Sequence, residues 1–238
     1  MAQQLVNRPL YLQLHDALVR KIAGGDWQPG AAIPNEADLA AEFGVSPGTM
    51  RKALDLMETE RLVTRKQGRG TFINDPTSDG LAVRFTNIRD ANGHRIAGDV
   101  RVGSIVLAPA SDGEIAQLGL ERADEVYRVR RFRSHNGRLY MVEDAALPAA
   151  LFPGLLQQPH LADRIVVLAR HWGVLLARSQ ERVSISHPQK EITDTLGCPA
   201  GAFVLSLDRV VFALDGRPIE WRVGYCQLAD EQYVAEMA

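Results

Sequence analysis

Residues Pro34 to Ile73 read PNEADLAAEFGVSPGTMRKALDLMETERLVTRKQGRGTFI, and they constrain the fold more than any other stretch. Asn35 is a good N-cap, and Asp38 three residues later completes a shortened capping box. The helix they open ends before Gly44. Ser46 caps a second helix, with Pro47 at the first position, where a missing N–H costs nothing. Val45 and Met50 are spaced for a hydrophobic staple. Met50, Ala53, Leu54 and Met57 share one helical face, so Gly48, Arg51, Lys52 and Asp55 face outward. After Leu62 the period changes to two short strands, Val63–Lys66 and Gly70–Ile73, with Gln67-Gly68-Arg69 as the turn. Upstream, Leu10, Leu14, Ala17, Leu18 and Ile22 predict a helix over Pro9–Ala23, stopped by Gly24-Gly25. Two short capped helices followed by a basic hairpin make a winged helix-turn-helix.

The chemistry of this surface suits DNA. A helix entering the major groove reaches base edges with its N-terminal residues. Ser46, Gly48, Thr49, Arg51 and Lys52 stand there, and Gly48 lets the backbone approach a phosphate. Arg51 is able to donate two parallel hydrogen bonds to a guanine edge, and Lys52 to guanine or phosphate. The wing tip Lys66-Gln67-Gly68-Arg69-Gly70 offers two cations on a loop slim enough for the minor groove. Singly, each cation is an ordinary solvated charge; the ordered set carries the inference.

Charge balance sharpens the point. The chain of 238 residues carries a net charge of −2, so it does not coat nucleic acid indiscriminately. Residues 46–73 nevertheless hold six basic residues (Arg51, Lys52, Arg61, Arg65, Lys66, Arg69) against three acidic ones (Asp55, Glu58, Glu60). No basic segment leads into an apolar run at the N-terminus, and no stretch approaches the ~18 apolar residues of a membrane span. A cytoplasmic protein with no membrane partner is the expectation. Cys198 and Cys226 lack metal-ligand spacing and read as reduced thiols. The histidines (His15, His94, His135, His160, His171, His187) lack it too, so no metal, cofactor or catalytic residue is expected. Trp27, Trp172 and Trp221 read as core or domain-contact residues.

Residues 9–73 resemble the GntR family of bacterial transcription regulators. The matching positions are Pro9-Leu10-Tyr11, Gly30, Ile33-Pro34, Glu36, Leu39-Ala40, Phe43-Gly44-Val45-Ser46, Thr49, Arg51, Ala53-Leu54 and Gly68-Arg69-Gly70-Thr71-Phe72. The resemblance implies operator contacts for Ser46, Thr49, Arg51, Arg69 and Gly70. Two departures stand out: Ala37 and Pro47 occupy positions where the family often has Arg. Lys52 and Lys66 are left to supply some of that charge.

Asn74 to Gly80 (NDPTSDG) is made of turn-formers and reads as a linker, with domain one at 1–74, the linker at 75–80 and domain two at 81–238. Beyond it, Ser111 and Glu114 form a capping box. Val126–Ser134, Asn136-Gly137 and Arg138–Glu143 spell a hairpin. His160–Gly173 is predicted as one helix, with Leu161, Ile165, Leu168 and Trp172 on one side. Val174–Ser186 reads as a strand, Pro188–Leu196 as a short helix closed by Gly197, and Phe203–Leu214, Asp215-Gly216, Arg217–Leu228 as a second hairpin. Hairpins with helices between them imply an α+β domain around an antiparallel sheet.

Arg131 and Arg133 are two apart on a predicted strand and so share a face. Adjacent guanidinium groups repel unless an anion lies between them; a ligand carboxylate or phosphate would serve, through forked hydrogen bonds. Glu143 on the partner strand, and Glu220 with Tyr225 on the last hairpin, either pair with these arginines or bind a ligand's hydroxyl or amine groups; the plainer alternative is a solvated strand face with salt bridges. Residues 81–238 resemble the UTRA effector domain of the HutC-like branch, whose fold is like chorismate lyase. The signals are Val129-Arg130-Arg131-Phe132-Arg133, Asn136-Gly137, Glu143, Leu147-Pro148, Leu151-Phe152-Pro153-Gly154-Leu155, Trp172-Gly173-Val174, and Leu207 to Glu220 with Asp215-Gly216. The resemblance adds Phe85 and Thr86 as effector contacts. The ending Ala229-Asp230-Glu231-Gln232-Tyr233 departs from the family's Gly-Asp-Arg-Tyr-like one.

The expectation is a homodimeric repressor of a palindromic operator, controlled by a small anionic effector. Two alternatives remain at this level: a lyase-like enzyme in the second domain, or a DNA-binding protein without a ligand.

Overall fold

The structure, a computed structural model, describes residues 8–23, 25–60, 62–74, 85–96, 98–199 and 201–235. The chain divides into two compact units, Met1–Ser78 and Asp79–Ala238. The predicted linker 75–80 and Gly24 lie outside the described residues.

The first unit packs three helices, α1 (Leu10–Ala23), α2 (Glu36–Glu42) and α3 (Pro47–Thr59), against a small sheet. Its strands β1 (Ala32–Ile33), β2 (Val63–Lys66) and β3 (Gly70–Ile73) lie in the order β1-β3-β2. The caps form as the side chains dictate. Asn35 Oδ1 accepts from the N–H groups of Ala37 and Asp38, each at 3.0 Å. Ser46 Oγ accepts from Thr49 N at 3.2 Å. Leu14, Leu18, Leu39, Met50, Ala53, Leu54, Met57, Val63 and Ile73 close one core. Two details differ from expectation. Leu10 stands 55% exposed and does not join the core cluster that Leu14 and Leu18 enter. Strand β1 is too short for alternation to betray it and exists through pairing with Phe72 and Thr71.

The second unit is built on a six-stranded antiparallel sheet, in the order β5-β6-β7-β10-β9-β8. Its strands are β5 (Asp99–Pro109), β6 (Glu125–His135), β7 (Arg138–Pro148), β8 (Leu176–Ser186), β9 (Val204–Ala213) and β10 (Pro218–Cys226). A separate pair joins β4 (Ile88–Arg89) to β11 (Gln232–Tyr233). The β6–β7 turn places Asn136 at φ 50° and Gly137 at φ 76°, the left-handed region that an Asn-Gly hairpin turn needs. Strand β5, which the sequence pattern does not predict, follows Gly98 at φ 68°. It carries a bulge at Gly103, where a Cβ would strike the ring of Phe132.

Helices α4 (Asp112–Leu118) and α6 (Lys190–Leu196) flank one sheet face. The other face carries Tyr127, Val129, Ala145, Leu147 and Val211, covered by 3-10 turns and α5 (Ile165–His171). The single helix expected over His160–Gly173 is therefore corrected. Pro159–Asp163 is a 3-10 turn, Arg164 is extended (φ −136°, ψ 126°), and α5 starts only at Ile165. The cause is a hydrogen bond from across the sheet. Ala162 O accepts from Arg131 Nε at 2.5 Å. In a continuous helix that carbonyl would accept from Val166 N; a guanidinium holds it instead.

Candidate functional site

Two surfaces carry the chemistry, one on each unit. On the first, Ser46, Gly48, Arg51, Lys52, Lys66, Gln67, Arg69 and Gly70 are exposed and Thr49 is half-buried. Arg51 Nε donates to Glu36 Oε2 at 3.0 Å, and Lys66 Nζ lies 4.8 Å from the centre of the Phe72 ring. Arg65, one of the six basic residues of the segment, is consumed internally. It bonds to Glu36, Asp55 and Glu58, which leaves the outer cations on α3 and the hairpin tip.

The second surface is a cleft in the Asp79–Ala238 unit with free space of about 40 Å³. Phe85, Thr86, Arg131, Arg133 and Glu220, all expected at a site, line it. Arg164, Arg209 and Arg222 line it as well and escaped the sequence reading. Strand pairing explains the convergence. Arg131 sits opposite Glu143, Glu143 opposite Gly224, and Arg222 opposite Arg209, so alternate side chains from four strands rise on one face. The register of non-adjacent strands, which sequence does not display, brings Arg209 and Arg222 in.

The anion between Arg131 and Arg133 is Glu143. Its carboxylate accepts from Arg133 Nε at 2.9 Å, from Arg131 Nη1 at 3.2 Å and from Arg222 Nη1. Burial alone would raise the Glu143 pKa, but Arg133, Arg222 and Arg131 hold it well below the usual carboxylate range. Arg131 also donates to Glu220 Oε1 at 2.8 Å. Its guanidinium is charged despite complete burial, because the two glutamates outweigh desolvation. Arg209, paired with Glu181, is lowered to about 10, first by desolvation and then by repulsion from Arg222. Salt bridges thus occupy much of this cluster, as the alternative reading had it, yet they do not exhaust it. Arg131 Nη2 is buried and has no hydrogen-bond partner.

Tyr225 does not join the cleft. It lies five residues after Glu220 on β10, so alternation turns it to the opposite face. There it lines a separate groove with Arg128, Arg130, Trp221 and Val223. Trp221 Nε1 donates to Asp208 at 2.8 Å in the same region, while Trp172 packs edge-on against Phe152 at 5.8 Å.

Comparison with known proteins decides the family. The signature of "Bacterial regulatory proteins, gntR family" matches residues 10–73, and that of the UTRA domain matches residues 96–230. The chain belongs to the GntR family and carries a UTRA domain. This GntR regulator is similar to the mannosyl-D-glycerate transport/metabolism system repressor MngR of Escherichia coli K12, with 27% identity over 218 residues, 90% of each chain. It is similar to the transcriptional repressor NagR of Bacillus subtilis 168, with 27% identity over 214 residues, 89% of this chain and 88% of the relative. Among solved structures, the ligand-binding domain of a GntR-family regulator from Bordetella bronchiseptica superposes with a TM-score of 0.59 at 23% identity. It covers 65% of this chain and 98% of its own, and shows the shared fold of the second unit.

Proposed function

We propose that this GntR regulator is a repressor whose hold on an operator is released by a small anionic ligand bound in the arginine cleft. One observation carries the reading. Arg131, only 1% exposed, lines the cleft, and its buried Nη2 has no hydrogen-bond partner among the described residues. A buried charged donor left unpaired costs more than an ordinary lost hydrogen bond, and an anion entering the cleft relieves that cost. Phe85 and Thr86 line one part of the cleft, and Glu220 offers an acceptor to a hydroxyl or amine on the same ligand. MngR and NagR are named repressors and align along about nine-tenths of the chain, which favours binding over turnover in this domain.

On the DNA side, Ser46, Gly48, Thr49, Arg51 and Lys52 read the major groove, and Lys66, Gln67, Arg69 and Gly70 follow the minor groove and backbone. A homodimer on a palindromic operator matches the two-fold logic of helix-turn-helix proteins. Coupling between ligand and operator is expected at ~1–3 kcal/mol, roughly 5- to 150-fold in operator affinity.

The test is operator binding by fluorescence anisotropy, with candidate anionic metabolites added. Wild type should release the operator. Arg133→Met, altered at the cleft but not at the DNA surface, should bind the operator and ignore the ligand. A variant that still responds at the wild-type concentration would remove the cleft from the mechanism.

A further inference from the structure

Arg65 sits on β2 one pleat beyond Val63, whose side chain is buried in the core of the first unit. Alternation turns Arg65 to the same side, against the polar flank of α3. Asp55 and Glu58, three apart on that helix, meet it there. Arg65 Nη1 donates to Asp55 Oδ1, and to Glu58 Oε2 at 3.2 Å; its backbone N–H donates to Glu58 Oε1 at 3.1 Å. Its Nη2 donates to Glu36 Oε1 at 3.2 Å on α2. One side chain thus joins α2, α3 and the strand that leads into the wing.

Spacing and charge decide what this network does. Asp55 follows Arg51 by four residues on α3, the separation at which opposite charges pair along a helix. Yet Arg51 bonds through Nε to Glu36, and Asp55 bonds to Arg65. Among the described residues, two cations (Arg51, Arg65) meet three carboxylates (Glu36, Asp55, Glu58) here, one negative charge in excess. A DNA phosphate is repelled from the middle of such a cluster, so Arg65 is badly placed as a backbone contact. Without Arg65, the three carboxylates would have Arg51 alone, and its guanidinium would turn to Asp55 and Glu36 rather than outward.

We propose that Arg65 is a positioning residue for operator reading: it engages the Asp55 carboxylate that would otherwise pair with Arg51, and it braces Glu36, so that Arg51 keeps its Nη groups for a base edge. The inference rests on the reading of α3 as the helix that contacts bases. It goes further by placing the selectivity of Arg51 under the control of a residue that does not touch DNA. The fork of arginine matters, because Nη1 serves Asp55 and Glu58 while Nη2 serves Glu36, and a lysine ammonium is a single point of charge.

The experiment is anisotropy titration of the full chain, across a salt series, with a duplex selected by the wild-type chain from a random pool and with its scrambled counterpart. The readout is the ratio of the two affinities, which a uniform change of charge at the DNA backbone does not move. Arg65→Gln should lower that ratio by about fivefold, less than Arg51→Ala, because the base contact is weakened and not removed. Adding Asp55→Asn to Arg65→Gln should restore most of the ratio, an outcome that a folding defect would not give. The same Asp55→Asn change should gain little in the wild-type background. Arg65→Lys should recover part of the loss. Pairs this exposed contribute little to folding, so the melting temperature of Arg65→Gln should stay close to that of wild type. An unchanged ratio in Arg65→Gln, a ratio that stays low in the double variant, or an equal gain from Asp55→Asn in both backgrounds would overturn the positioning role. Equal losses on both duplexes with a smaller salt slope would make Arg65 a phosphate contact instead. A wild-type ratio in Arg51→Ala would remove the base-reading assignment itself, whatever Arg65 does.

Discussion

Arg51 Nε donates to Glu36 Oε2 at 3.0 Å, which ties the outward face of α3 to the first turn of α2. Glu36 Oε1 meanwhile accepts from Arg65 Nη2 at 3.2 Å, so one carboxylate braces two arginines. Among the described residues the tether engages the Nε of Arg51 and leaves its two Nη groups unengaged. It also restricts a long side chain that would otherwise lose rotamer entropy on binding.

Arg51→Ala should therefore cost about 1–3 kcal/mol of operator binding and relax the base preference. Glu36→Gln should move in the same direction by less, since the arginine remains but is no longer held. Lys66→Ala should weaken operator and scrambled duplex alike and reduce the salt slope by about 1. Anisotropy titrations with both duplexes across a salt series measure all three. Equal losses and unchanged preference for Arg51→Ala and Lys66→Ala would refute the division between base reading and backbone contact.

Acid should loosen the second unit through a particular ion pair. Glu114 completes the α4 capping box with Ser111 and binds Arg128 through Nε and Nη2, each at 2.8 Å. The Arg128 hydrogen bonds lead in lowering its pKa from 4.5 to about 2, against the opposing effect of burial. A folded pKa below the unfolded one means stability that is present above about pH 4.5 and lost as pH falls towards 2. Melting temperatures of wild type should drop across that window, and Glu114→Gln should show a shallower drop from a lower start. Parallel profiles for the two proteins would show that this pair does not contribute.

The parts of this fold that were legible from sequence share a physical character: they are local. Ser46 caps Thr49 three residues away, Ser111 caps Glu114, and Asn136-Gly137 sets its own turn, so residue identity and spacing suffice. Arg131 and Arg133 were found for the same reason, through the two-residue period of a strand. What was not legible depends on residues distant in the chain. Arg222 reaches Glu143 from 79 positions away, and the break at Arg164 arises because Arg131 takes the Ala162 carbonyl 31 positions away. Tyr225 was assigned to the cleft by its place on the right strand, although an odd separation from Glu220 already turned it to the other face.

His15 gives the first unit a pH dependence of opposite sign. Its ring is 5% exposed on α1, with Nε2 2.7 Å from Glu60 Oε2 and Nδ1 3.3 Å from Asp16 Oδ1. Burial disfavours the charged ring, but the Glu60 and Asp16 carboxylates outweigh it and raise the pKa above 6.5. With a raised folded pKa, the stabilisation is fully present below pH 6.5 and disappears as pH rises through the folded value. Because Glu60 caps the end of α3 while His15 lies on α1, this pair joins α3 to α1. Glu60→Gln keeps an acceptor but removes the charge, and should cost about 1.5–3 kcal/mol at pH 6 and progressively less towards pH 9. Denaturant unfolding of the full chain, followed by a probe in the first unit at several pH values, reads this directly. A wild-type stability that is flat or rising from pH 6 to pH 9, with no convergence on the variant, would show that His15 is uncharged in the folded unit.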